Sequence, residues 1–142
     1  MNHDDYAESY LAGILRSVRT IALVGASKNE QRPSHRVMGF LLAKGYRVIP
    51  VNPGLAGGEI HGQPVAARLA DIAGPVDMVD VFRASEAVPA LVEEVLALAR
   101  PPKVIWMQLG VRDDAAAARA EAAGILVVMD RCPAIEYPRL VG

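Results

Sequence analysis

Lys28, Arg32, His35 and Arg36 place four potentially basic side chains within nine positions, against the single acid Glu30. Such a cluster attracts anions, and the residues before it are suited to hold one. The apolar run Ile21 to Val24 ends at Gly25, which lets the backbone turn tightly out of a strand. Ala26, Ser27 and Lys28 follow, with Ser27 offering a hydroxyl. Arg32, Pro33 and Ser34 then lead into a helix, with Ser34 the expected N-cap; the unpaired amides of a first turn attract phosphate. The full G-x-G-x-x-G pattern is missing, because Ser27 stands in the place of the second glycine and Glu30 in that of the third. An ordinary βα turn with solvated charges is the competing reading. Where a dinucleotide site places an acid on the ribose, about 20 residues on, this chain has Asn52. A nucleotide with an additional ribose phosphate suits the patch better than NAD does, since a phosphomonoester adds about −1.5 to −2 charge.

Other chemistry-bearing residues form no obvious set. His3, His35 and His61 show no HxxxH or HExxH spacing, so no metal site is expected. Cys132 is the only cysteine, which excludes an internal disulfide. It reads first as a small buried hydrophobe, and alternatively as a thiol able to meet a ligand's thiol. Asp77 and Asp80 are expected in one strand, pointing to opposite faces, so a carboxylate pair is not expected. Trp106 and Met107 read as core. No catalytic residue stands out, and the chain is expected not to be an enzyme.

The positioning elements alternate between two hydrophobic periods. Asp4 to Val18 carries Tyr6, Tyr10, Leu11, Ile14, Leu15 and Val18 at helical spacing, an amphipathic helix for docking or for an interface between copies. Buried strands are expected at Ile21–Val24, Val48–Val51, Val76–Val81, Val104–Met107 and Leu126–Met129. Helices are expected after Ser34 up to Gly45, over Ser85–Ala99 with Pro89 in the first turn, and over the alanine-rich Asp113–Ala123. A weak strand or turn and a short helix lie between Glu59 and Ile72. The fold class is therefore α/β, a Rossmann-like doubly wound parallel sheet in one domain spanning 1–142. In such a sheet, ligands lie at the carboxyl ends of the strands. That edge gathers the Gly25 loop, Asn52 and Pro53, Phe82 and Arg83, Gln108 to Gly110, and Asp130 to Cys132.

A chain of 142 residues with 16 acids and 15 bases has a formal net charge of −1 and no global field for nucleic acid or an anionic membrane. Hydrophobic residues at 52% supply a core, yet no apolar run reaches the roughly 18 residues of a membrane span. With no secretory signal pattern at the start, a cytoplasmic protein is expected.

The blocks VGASKNEQRPSHRVMGFLLAKGYRVIPVNP, EIHG, VDMVDVFR, WMQLGV and AGILVVMDRC, with Glu136 behind them, resemble the small standalone coenzyme A-binding proteins. Their domain is similar to the nucleotide-binding domain of the succinyl-CoA synthetase alpha subunit. The resemblance implies that Gly25, Ala26, Ser27, Lys28, Arg32, Pro33 and Ser34 hold the phosphates of CoA. It further implies Asn52 and Pro53 beside the adenosine, Phe82 and Arg83 bordering nucleotide or pantetheine, and Gln108 and Gly110 lining the pantetheine channel. The expected ligand is CoA or an acyl-CoA, in a sensor, carrier or regulatory role, with a homo-oligomer or a protein partner left open. An NAD(P)-linked oxidoreductase and a binding subunit of an acyl-CoA ligase are the alternatives.

Overall fold

The computed structural model describes residues 1–142. Five parallel strands form one sheet, β1 (Thr20–Val24), β2 (Arg47–Val51), β5 (Met78–Val81), β6 (Val104–Met107) and β7 (Leu126–Val128), in the order β2-β1-β5-β6-β7. A two-stranded hairpin, β3 (Glu59–Ile60) with β4 (Gln63–Pro64), lies outside it. The chain winds from β1 outward to β2, then crosses back to the other side of β1 and continues outward through β5, β6 and β7. That reversal makes a crevice beyond the carboxyl ends of β1 and β5, which are direct neighbours in the sheet.

Alternation along each strand sends side chains to two helical layers. Ile21, Leu23, Met78, Val104, Trp106 and Val128 pack with α1 (Glu8–Ser17), α2 (Pro33–Ala43) and α5 (Pro133–Leu140). Ala22, Val24, Val79, Val81, Ile105, Met107 and Val127 pack with α3 (Val88–Leu96) and α4 (Asp114–Ala122). Trp106 and Met107 have no exposure, so both are core as the sequence suggests. Asp113 caps α4, its side chain accepting from Ala116 N–H at 2.9 Å. Small alanines at 116, 117 and 120 let that helix sit close to the sheet, where all three are buried.

Several boundaries differ from the sequence reading, each for a local reason. Ser34 is not the N-cap of α2: Arg32 occupies that position in extended conformation, Pro33 opens the helix, and Ser34 is buried one residue further in. Proline fits the first helical position because no intrahelical partner waits for an N–H there. Asp77 lies just ahead of β5 rather than within it, where its carboxylate accepts from the N–H groups of Arg19 at 2.8 Å and Thr20 at 3.0 Å. These bonds hold its carboxyl below the ordinary value despite partial burial. The helix expected from Ser85 begins as a 3-10 turn, Ser85–Ala87, before α3 proper. Nothing in the sequence reading foresaw α5, whose interior Pro138 obscures its period.

The first helix begins at Glu8, not Asp4, and two tyrosines, Tyr6 ahead of it and Tyr10 within it, tie it to β7. Tyr6 accepts from Met129 N–H at 2.8 Å, and Tyr10 donates to the Val127 carbonyl at 2.8 Å. Both bonds satisfy backbone groups along the open side of β7. Tyr6 is fixed in turn by His3 Nδ1 at 2.6 Å, and His3 Nε2 lies 3.0 Å from Glu121. The apolar face of α1 is spent inside the molecule, with Leu11, Ile14 and Leu15 buried. No helix is long and apolar enough to cross a membrane.

Tyr6→Phe keeps the ring and removes the hydroxyl that accepts from the buried Met129 N–H and meets His3 Nδ1. We expect a loss of about 1 to 3 kcal/mol in denaturant unfolding; an unchanged midpoint would show that the hydroxyl carries no net stability.

Candidate functional site

Gly25 sets the shape of the crevice. It leaves β1 at φ +91°, and a Cβ built on it would lie 2.2 Å from the Phe82 carbonyl oxygen. Only glycine permits that approach, which brings the first loop against the end of β5. The loop is tied from its other side as well: Gly25 N–H and Ala26 N–H both donate to the Val51 carbonyl, at 3.1 and 3.3 Å. Asn52 completes the tie. Its amide nitrogen donates to the Ala26 carbonyl at 2.8 Å, while its oxygen accepts from Gly54 N–H at 2.8 Å. Asn52 is thus the clamp between the first two strand-end loops, a role that spacing alone did not reveal.

Beyond Gly25 the chain turns through a relay of short-range bonds. Ser27 Oγ accepts from Asn29 N–H at 3.0 Å, and Asn29 Oδ1 accepts from Gln31 N–H at 2.9 Å. The relay delivers the chain to α2, whose first turn has no side-chain cap. Gly25, Ala26, Ser27, Arg32, Pro33, Ser34, Asn52 and Phe82 enclose a cavity of about 290 Å³, predominantly polar in its lining side chains and backbone. Free first-turn amides, a hydroxyl and an Arg around one small space suit a phosphate or pyrophosphate.

A second cavity of about 380 Å³ shares Gly25 and Asn52 with the first. Val24, Val51, Leu69 and Leu91 give it apolar walls, while Pro53, Arg68, Arg83 and Glu94 also line it. Aliphatic walls with polar groups beside them suit a flat heteroaromatic ring and a sugar. The two spaces together form one cleft at the winding reversal, polar toward α2 and apolar toward α3.

The basic patch does not act as a unit. Arg32 lines the polar cavity, but Lys28 is exposed and leans over the loop toward Gly58, and Arg36 donates to the Gln31 carbonyl at 2.9 Å. His35 packs against His61 with ring centroids 4.0 Å apart and the rings tilted by 36°, bringing together two histidines that are distant in sequence. Gln108 and Gly110 lie outside both cavities, in the loop after β6. Gly110 N–H donates to Asp130 Oδ1 at 2.7 Å, and Gln108 is buried beside Asp80. Burial without a neighbouring cation pushes the Asp80 carboxyl well above the ordinary carboxylate value. Cys132 is buried in the core over the α5 side, as the sequence suggests for a small hydrophobe.

Residues 19–138 match the model of the CoA binding domain. The Bacillus subtilis protein YneT is 39% identical over 119 residues, 84% of this chain and 85% of that one. Among solved structures, a Thermus thermophilus protein superposes with a TM-score of 0.89 at 41% identity, covering 95% of this chain and 99% of that chain. A Pyrococcus horikoshii protein superposes with a TM-score of 0.90 at 33% identity, covering 98% and 95%.

Two substitutions follow from this geometry. Gly25→Ala combines left-handed backbone with collision against a carbonyl, so we expect about 3 kcal/mol or more of lost stability. Gly45→Ala, at φ +94° with open space around it, carries the backbone strain alone and serves as the control, at about 1 kcal/mol. Equal losses in urea unfolding would mean that the Phe82 contact is relaxed. Asp80→Asn tests the buried acid. A folded-state value raised above the unfolded value means that stability present in acid is lost as pH rises through the interval between them. The Asn variant should match the wild type near pH 3 and exceed it increasingly toward neutrality; parallel pH–stability curves would refute the shift.

Proposed function

The chain belongs to the CoA-binding domain family, and from that premise we propose that its strand-end cleft binds coenzyme A or an acyl-CoA without catalysing a reaction of its own. In this reading the protein serves as a sensor, carrier or regulatory component. The observation that carries the proposal is the pairing of a polar and an apolar cavity across Gly25 and Asn52. A pyrophosphate fits the first turn of α2 with Ser27 and Arg32, and an adenosine fits between Val24, Val51, Leu69 and Leu91. Bound CoA would supply a thiol on which acyl groups travel as thioesters.

The noncatalytic reading rests on where the reactive side chains are spent. Ser27 accepts a backbone bond, both ends of the Asn52 amide are committed, and Cys132 sits in the core. The neutral Asn52 clamp also favours CoA over NAD, since it puts no carboxylate where the ribose of NAD is ordinarily held.

The arginines divide the ligand between them. Arg32 borders the pyrophosphate space, so Arg32→Ala should weaken CoA and dephospho-CoA alike, by about tenfold or more. Arg83 borders the sugar space, so Arg83→Ala should weaken CoA more than dephospho-CoA. Thermal melting with CoA, dephospho-CoA, NAD and NADP tests the whole proposal. At about 100 times its dissociation constant, CoA should add about 2.7 kcal/mol, or about 10 °C for a chain of this size. A shift with NAD or NADP alone would favour the oxidoreductase reading and sink this one.

A further inference from the structure

The residues from Ala67 to Val76 run between β4 and β5 as a strap beside the cleft. Both ends are pinned. Ala66 N–H donates to the Pro50 carbonyl at 3.0 Å and the Ala66 carbonyl accepts from Asn52 N–H at 2.9 Å, while Asp77 N–H donates to the Thr20 carbonyl at 2.9 Å. Between those pins no hydrogen bond joins the strap to the rest of the chain. Its own bonds are internal, from Asp71 N–H to the Arg68 carbonyl and from Ile72 N–H to the Leu69 carbonyl, both at 3.1 Å, and from the Arg68 side chain to Asp71 at 3.3 Å.

Open space borders the strap on three sides. Ala67, Arg68 and Leu69 line the apolar cavity of the cleft, of about 380 Å³; Leu69, Ile72 and Val76 line another of about 480 Å³; and Ala67, Asp71 and Ala73 line a third of about 490 Å³ beside β2. Leu69, 4% exposed, is the one buried side chain of the strap. A segment held by so few contacts opens at little cost. Arg68 has only Asp71 on its own strap, and both are largely open to solvent, so that pair is worth little. Another wall of the cleft cavity comes from α3. There Glu93 is paired with Arg119 of α4 at 3.1 Å, but Glu94, which lines the same cavity as Arg68, is exposed and has no partner.

We propose that the strap is a lid over the nucleotide cleft, latched when closed by Arg68 pairing with Glu94 beside the bound ligand. This rests on the CoA reading, which puts the adenosine against Leu69 of the strap and Leu91 of α3. A flat ring between those leucines displaces water and favours drawing the strap toward α3. The charged pair at the rim then forms where less solvent screens it. Arg68 gives up a weak partner for Glu94, and no bond to the body of the chain has to break. Arg83, the other cation of the cavity, follows β5 and does not travel with the strap. Arg68 and Glu94 are positioning residues that hold the lid, so their loss speeds release of the ligand more than it slows entry.

Calorimetric and stopped-flow binding of CoA to Arg68→Gln, Glu94→Gln and the double variant tests the latch. Glu94→Gln should weaken CoA about threefold through faster release, although removing an anion beside an anionic ligand would by itself tighten binding. The double variant should be no weaker than Arg68→Gln alone. Tighter or unchanged binding by Glu94→Gln, or losses that multiply in the double variant, would overturn the latch. Lid motion is read separately with Ala73→Lys, which gives trypsin a site on the strap outside the cleft. CoA should slow cleavage there about tenfold or more; bound CoA with undiminished cleavage would overturn the lid. Should CoA cause no melting shift, the functional reading fails, and the free variant still judges the strap. Trypsin must then cut it at position 73 faster than the chain unfolds, and cleavage no faster than unfolding would refute a movable lid.

Discussion

The cleft depends on one approach between backbones, that of Gly25 to the Phe82 carbonyl. Parallel strands place their carboxyl ends side by side, but an ordinary side chain at the first turn would push the two loops apart. With a hydrogen there instead, the loop after β1 lies directly on the end of β5. Asn52 then draws the loop after β2 onto the same point through the Ala26 carbonyl. Three strand ends therefore converge at one place, and the first turn of α2 is aimed at it. The polar and apolar cavities are consequences of this convergence, because each takes Gly25 and Asn52 as part of its wall.

Much of this arrangement is legible in the residues, because parallel strands announce themselves as short apolar runs and Gly25, Asn52 and Gln108 follow such runs directly. The order of the sheet follows from handedness, and the location of the cleft from the order. Less legible is what depends on contacts between distant segments. Ser34 has the chemistry of an N-cap, yet Pro33 fixes the helix start one residue earlier and leaves Ser34 inside. The charges from Lys28 to Arg36 look like a single patch in sequence, but a loop and a helix send them in different directions. Asn52, expected beside the ligand, is also a clamp between two loops, held by the Ala26 carbonyl, which no spacing rule can place.

Asp80 marks the point where local rules break. A central strand flanked by apolar neighbours should carry another apolar residue there, and a carboxyl without a cation makes the sheet less stable near neutrality than it need be. Real proteins concentrate such departures at places that do something besides fold. The neighbouring Gln108 gives this one a definite chemical partner rather than a mere defect.

The tyrosines along β7 have a consequence beyond the bonds they make. A three-residue strand at the rim of a sheet is an open template on which another chain can add a strand, and short strands alone do not close it. Here the rim is occupied by phenol groups that belong to the same chain, Tyr6 and Tyr10, with their rings stacked 5.8 Å apart. They work as a stopper: small enough to leave the fold unchanged, yet seated where a foreign strand would have to dock. Tyr6 ahead of α1 and Tyr10 within it thereby occupy the edge groups to which an added strand would have to bond.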